Sequence, residues 1–210
     1  MLEITFLVTA LIGLVLSLFW IILKSSSTKI QAQYTKLAGK LGIKLETPQP
    51  KLGGFIRSEP VACGIYRGRD ISFSAPGKGL QNTRQIETVL KIEVNNRVLK
   101  AQFAPTGIMG SLGQRDSGKL SLWKSGDTAF DSAIDVRSNQ SDHLKSLLKP
   151  EISQFLIESL KKQNARLYIG NGIIAYTEIG LIADTVTRER FEKSVEILCD
   201  FAENAELYNI

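Results

Sequence analysis

The chain has 210 residues, a formal charge of +5, two cysteines and one histidine. Most of the positive charge sits in one short segment: residues 24–51 carry six lysines against Glu46, whereas residues 52–210 balance to +1. That excludes a basic face spread over a folded domain, so nucleic acid is not an expected partner. Two cysteines without metal-ligand spacing exclude a thiolate metal site, and a lone histidine leaves little for nucleophilic triads. No cofactor is implied.

Ile4 to Leu23 is an unbroken run of twenty uncharged residues. At ~1.5 Å per residue it matches the ~30 Å hydrocarbon core of a bilayer. A secretory signal would need a positive n-region, a shorter apolar stretch and a small-residue cleavage site; Glu3 is the only charge ahead of this run, and Ser25 to Ser27 make no A-x-A pattern. The expectation is a retained single span. Lysines resist translocation, and Lys24, Lys29, Lys36, Lys40 and Lys44 all follow the span. The N-terminus is therefore expected outside and the C-terminal domain in the cytoplasm. Trp20 and the lysines Lys24, Lys29, Lys36 and Lys40 are candidate contacts for interfacial and anionic lipid. Thr9, Gly13 and Ser17 recur every four residues, a small-residue face that lets two spans approach and makes a homo-oligomer a candidate assembly.

Between Thr28 and Leu41, Ile30, Tyr34, Leu37, Ala38 and Leu41 recur at helical spacing, with Lys29, Lys36 and Lys40 on a neighbouring stripe. This predicts an amphipathic helix ending at Gly42. Its apolar stripe either packs on the chain's own domain, the preferred reading, or lies in the lipid interface. Pro48 to Gly54 reads as a turn-rich lead-in, and residues 52–210 as one soluble domain.

Strands are expected at Phe55 to Arg57, Val61 to Tyr66 and Arg69 to Ala75, the last two joined by a turn at Arg67-Gly68. Gln85 to Val94 and Arg97 to Phe103 flank Asn95-Asn96, which reads as a hairpin turn. A glycine-rich loop follows at Ala104 to Gly118, then strands at Leu120 to Lys124 and Ala133 to Arg137. Ser141 to Leu148 and Pro150 to Gln163 read as helices, Arg166 to Ile169 and Ile173 to Glu178 as strands, and Arg188 to Ala205 as a closing helix with Phe191, Val195, Leu198 and Ala202 on one face. The fold class is α+β: a mainly antiparallel sheet with C-terminal helices behind a transmembrane helix.

Gly113 to Leu120 falls one residue short of a phosphate-binding loop: Leu120 replaces the magnesium-binding hydroxyl, and Ser125-Gly126-Asp127 leaves no room for the following helix. Ser121 to Lys124 matches S-x-x-K without its companion elements. Asp127, Asp131 and Asp135 lie four apart and are the weak catalytic candidates, able in principle to hold a hard cation or to shift one another's pKa. Turn and cap roles for Asp127 and Asp131 are the stronger reading. Arg67 and Arg69 around their turn, and Ile108, Met109 and Leu112 between glycines, are candidate partner contacts.

Gly64-Ile65-Tyr66-Arg67-Gly68-Arg69, Gly126-Asp127 with Phe130-Asp131 and Val136, and Leu147-Leu148-Lys149-Pro150 resemble, in order, the landmarks of an uncharacterised bacterial family of membrane-anchored domains of unknown function. The resemblance spans roughly residues 35 to 180. It implies a membrane-anchored architecture and carries no reaction or catalytic residue. The expected function is a noncatalytic interaction or scaffold module at the membrane, binding lipid headgroups, a protein or another copy of itself. The alternative is a carboxylate- or metal-dependent enzyme acting there.

Overall fold

The computed structural model describes residues 2–49, 59–76, 86–107 and 120–207. The span and the amphipathic segment are one helix, α1 (Leu2–Leu41). Ser25 to Ser27 do not interrupt it, because serine lowers helix propensity only modestly and neither glycine nor proline stands nearby. Gly42, at φ +67°, turns the chain out of the helix, a conformation that side chains with a Cβ rarely adopt.

Nine strands then form a single antiparallel sheet: β1 (Lys44–Glu46), β2 (Val61–Tyr66), β3 (Arg69–Ser74), β4 (Glu87–Glu93), β5 (Ala101–Pro105), β6 (Ser121–Trp123), β7 (Ile134–Ser138), β8 (Arg166–Gly170) and β9 (Ile173–Ile179). Their spatial order is β1-β2-β3-β4-β9-β8-β5-β7-β6. Two hairpins are closed by residue pairs that both adopt positive φ, Arg67-Gly68 (+50° and +74°) and Asn171-Gly172 (+56° and +79°). That geometry matches the twist of the flanking strands. The helices are α2 (Thr128–Ala133), α3 (Ser141–Leu147), α4 (Pro150–Leu156, continued by a π turn at Ile157–Lys161) and α5 (Thr185–Leu207). The α+β class expected from the sequence is the observed one.

The expected hairpin at Asn95-Asn96 is not formed. β4 lies between β3 and β9, whereas β5 lies between β8 and β7. Asn96 is buried and acts as a local hinge pin: its Oδ1 accepts from the N–H of Val98 (3.0 Å) and Leu99 (2.9 Å), and its Nδ2 donates to the Ala205 carbonyl at 3.0 Å. The side chain thus ties the turn to α5 and sends the two strands to different parts of the sheet. β1 and α2 are short elements of three and six residues that hydrophobic periodicity does not reveal. The expected strand at Phe55 to Arg57 lies outside the described residues, as do Ile108, Met109, Leu112 and most of Gly113 to Leu120.

Strand register explains the core. One residue from each strand falls into a continuous cross-sheet row: Leu45, Ala62, Phe73, Leu90, Tyr176, Leu167, Phe103, Val136 and Trp123. All are buried except Leu45, which is partly buried against the same core. The helices gather on this face. Phe191 of α5 meets Phe73 and Tyr176 edge-on at centroid distances of 6.1 and 5.7 Å, and Phe155 of α4 approaches Tyr176 at 6.3 Å. The α1 stripe joins them: Ile30, Tyr34, Leu37, Ala38 and Leu41 are at most 6% exposed. Between its two expected partners, the stripe packs on the domain. Burial also pushes the Tyr34 phenol up to about 12.

Candidate functional site

Sheet geometry alternates side chains between faces, so the residues one position along from the core row form a second row on the opposite face. These are Lys44, Cys63, Ser72, Lys91, Ala175, Tyr168, Gln102, Arg137 and Leu122. Their side chains range from half-buried to exposed, apart from buried Gln102. Across β1, β2, β3, β4 and β9 this face hollows into an open groove of ≈ 960 Å³. Three cations (Lys44, Lys91, Arg97) and three carboxylates (Glu46, Asp70, Glu93) line it, with Ile43, Ile65 and Ile173. Ile65 is 68% exposed. A mixed-charge hollow with one exposed and two half-buried isoleucines suits a polypeptide surface better than a small anion, which would need convergent donors.

Arg67 and Arg69 do not face this groove's solvent as free guanidinium groups. Arg67 bonds Asp200 at 2.7 Å and Glu203 at 2.9 Å; Arg69 grips Glu206 with two bonds of 2.5 and 2.6 Å. The β2–β3 hairpin is thereby clamped to the acidic end of α5. The Arg69 guanidinium, against the opposing effect of burial, holds the Glu206 carboxyl below the usual glutamate range, aided by the Asn95 N–H at 2.7 Å. Sequence spacing could not pair residues more than 130 positions apart, although acids at every third position from 200 to 206 are a visible stripe.

Asp127 caps α2, its Oδ1 accepting from the N–H of Ala129 (2.8 Å) and Phe130 (3.4 Å). Asp131 closes the preceding loop: it accepts from the Ser125 N–H and hydroxyl, both at 2.9 Å, and from the Gly126 N–H at 3.1 Å. Burial opposes its ionisation, but these three donors outweigh it and lower the carboxyl below the usual range. Asp135 sits on β7 opposite Ala104. Among the described residues no group of three His, Cys, Asp or Glu side chains is placed to hold a metal ion. Asp127 also borders a second cleft of ≈ 590 Å³ between β6 and the α3–α4 turn, where Lys145, Glu158 and Lys162 leave the charges mixed. Lys124 of the S-x-x-K match donates to the Asp131 carbonyl at 3.3 Å, and His143 Nδ1 lies 2.8 Å from Gln140 Oε1. Cys199 is buried and its thiol is pushed up to about 11, mainly by that burial, which makes it unreactive.

Packing of the α1 stripe on the domain is the expected contact; the polar ties that accompany it are what sequence reasoning missed. Glu192 of α5, only 2% exposed, receives Lys40 Nζ at 2.7 Å and Arg188 Nη1 at 2.5 Å, while Arg188 Nε donates to Gln33 at 3.1 Å. Its hydrogen bond to Glu192 raises the Lys40 ammonium above the ordinary lysine value. Lys40, by sequence a candidate lipid contact, is paired within the protein. Further along α1 the surroundings reverse. Residues 4–23 are exposed, with Trp20 and Leu23 partly so, and the most apolar stretch has mean hydropathy 2.7 with none of it buried. Lys24 Nζ stands 4.9 Å above the Trp20 ring. Thr9 and Ser17 donate their hydroxyls to carbonyls one turn back, both at 2.8 Å, and Gly13 between them has open space where a Cβ would be. A helix this long and apolar, left uncovered near the N-terminus, points to membrane anchoring.

No protein family and no curated protein matches the chain, so the landmark resemblance stands without a family assignment. Among solved structures, the chain is similar to the crystal structure of the mycobacterial trehalose monomycolate transport factor A, TtfA. The likeness covers 83% of this chain and 93% of that one, with a TM-score of 0.54 at 11% sequence identity. At that identity the shared property is the fold: a helix-backed antiparallel sheet.

Proposed function

We propose that the chain is a single-pass, membrane-anchored interaction module without catalytic activity, whose domain faces the cytoplasm and offers the open face of its sheet to a protein partner. The observation that carries this reading is the asymmetry of the sheet. One face is closed by helices, whereas the other keeps an open, mixed-charge groove with an exposed isoleucine. The anchor is read as retained because its helix runs without a break into the domain core. The orientation follows from the lysines that trail the span. Similarity in fold to TtfA, described as a transport factor, supports a supporting role in a membrane process over chemistry of its own.

Affinity recovery of the full-length chain from solubilised native membranes tests the reading. A partner should be retained by the unaltered protein and lost with Ile65→Glu or Lys91→Glu, which reverse the character of the groove without touching the core. Recovery that both substitutions leave unchanged, or of the bait alone, would overturn it. A C-terminal reporter active only on the far side of the membrane would overturn the orientation independently.

A further inference from the structure

Because α1 is one helix from the span into the core, it sets which end of the domain meets the bilayer. We infer that the domain rests on the headgroup layer of its own membrane through the β9–α5 loop, the first turn of α5 and the start of β4, with Val186 and Ile86 as the lipid contacts. This rests on the anchored reading of α1.

Two hydrogen bonds fix the relative level of the helices. Gln33 meets Arg188 and Lys40 meets Glu192, so residue numbers rise in the same sense along α1 and α5. The first turn of α5 therefore lies beside α1 near Ile30, the first α1 residue buried in the domain. From Leu23 to Ile30 is about 10 Å at ~1.5 Å per residue. The headgroup layer on each side of the hydrocarbon is itself about 5 to 8 Å thick. Val186 is 70% exposed, and a helical Cβ leans toward the helix N-terminus, here the membrane side. Ile86 is 49% exposed and belongs to the same end: its carbonyl accepts from the Gly180 N–H at 2.7 Å, and Thr88 donates to the Gly180 carbonyl at 2.7 Å.

Charge favours the same occupant. Lys24 and Lys29 lie on the intervening stretch of α1 and suit anionic headgroups. Three carboxylates at this end already have partners within the domain, Asp184 with Thr187, Glu189 with Arg188 and Glu178 with Arg190. The far end carries the Arg67-Gly68 and Asn171-Gly172 turns and the C-terminus of α5, so Ile65, though equally exposed, points away from lipid.

The test uses the full chain in nanodiscs of phosphatidylcholine with a minor share of phosphatidylglycerol. In a Cys63→Ser background, Val186→Cys, Ile86→Cys and Ile65→Cys each carry an environment-sensitive fluorophore; buried Cys199 stays in place. A lipid spin-labelled at its headgroup should quench the labels at 186 and 86 and leave the label at 65 bright. Equal quenching at all three, or none at 186 and 86 in protein that co-elutes with the discs, would overturn the inference. Protein that fails to enter the discs would overturn the anchored reading and this inference with it, and co-elution is scored separately from quenching.

Discussion

The two faces of the sheet differ by a single step in register, yet one is a core and the other a surface. Phe73 and Ser72 are chain neighbours; the first is fully buried beneath Phe191, and the second lies in the open groove. The same contrast holds for Leu90 and Lys91. The covered row is apolar from edge to edge, whereas the open row mixes cations, hydroxyl groups and small apolar side chains. Helices supply the apolar cover on one side, and the open side keeps the composition of a surface that must stay soluble and still recognise something.

If the faces differ in this way, substitutions should separate them by size of effect. Phe73→Ala should cost most, about 3–5 kcal/mol, because it empties the contact between β3 and α5; denaturant unfolding of the full chain in detergent would read it. A loss below half of that would mean the covered face is not a packed core. Glu192→Ala should follow at about 1–3 kcal/mol, since it removes the buried acceptor of Lys40 and Arg188. Thermal unfolding should register it, and Lys40→Ala combined with Glu192→Ala should cost less than the sum of the two. Asp127→Ala should cost about 0.5–2 kcal/mol by leaving the N-terminal amides of α2 unpaired. Unfolding at neutral pH tests the capping role, and an unchanged midpoint would remove it.

Acid should act more gently. Glu206 and Asp131 both ionise below their usual ranges, so each contributes stability that is complete above the ordinary values of 4.5 and 3.8 and is lost as pH falls through the lowered ones. Arg69→Gln should flatten the Glu206 part of that dependence. A pH profile identical in the variant would show that the clamp does not act through charge.

Local pattern carried most of the fold. Val61 to Tyr66 is a short uncharged run bounded by a turn with glycine, and the closing helix repeats its apolar residues every three or four positions, so each was legible within its own window. What stayed hidden depended on distant partners. Asn95-Asn96 looks like a tight turn locally, but its outcome is decided by Ala205 and Glu206 over a hundred residues away. The α1 stripe was visible as amphipathic, yet the same pattern fits lipid or protein, and only the fold supplies α5 as its partner. Asp127 and Asp131 had both a catalytic and a capping reading; the amides that occupy them lie within six residues, which is why the capping reading was already available from sequence. The groove had no local signature at all, because it is assembled from residues of five strands and the turns beside them.

Site-specific photocrosslinking in native membranes examines the division between the faces most directly. A photoreactive residue at Ser72, in the open row, should yield an adduct of one discrete mass, and the same residue at Lys193, on the exposed side of α5, should yield none. An adduct from position 193 alone, or none from position 72, would contradict the account.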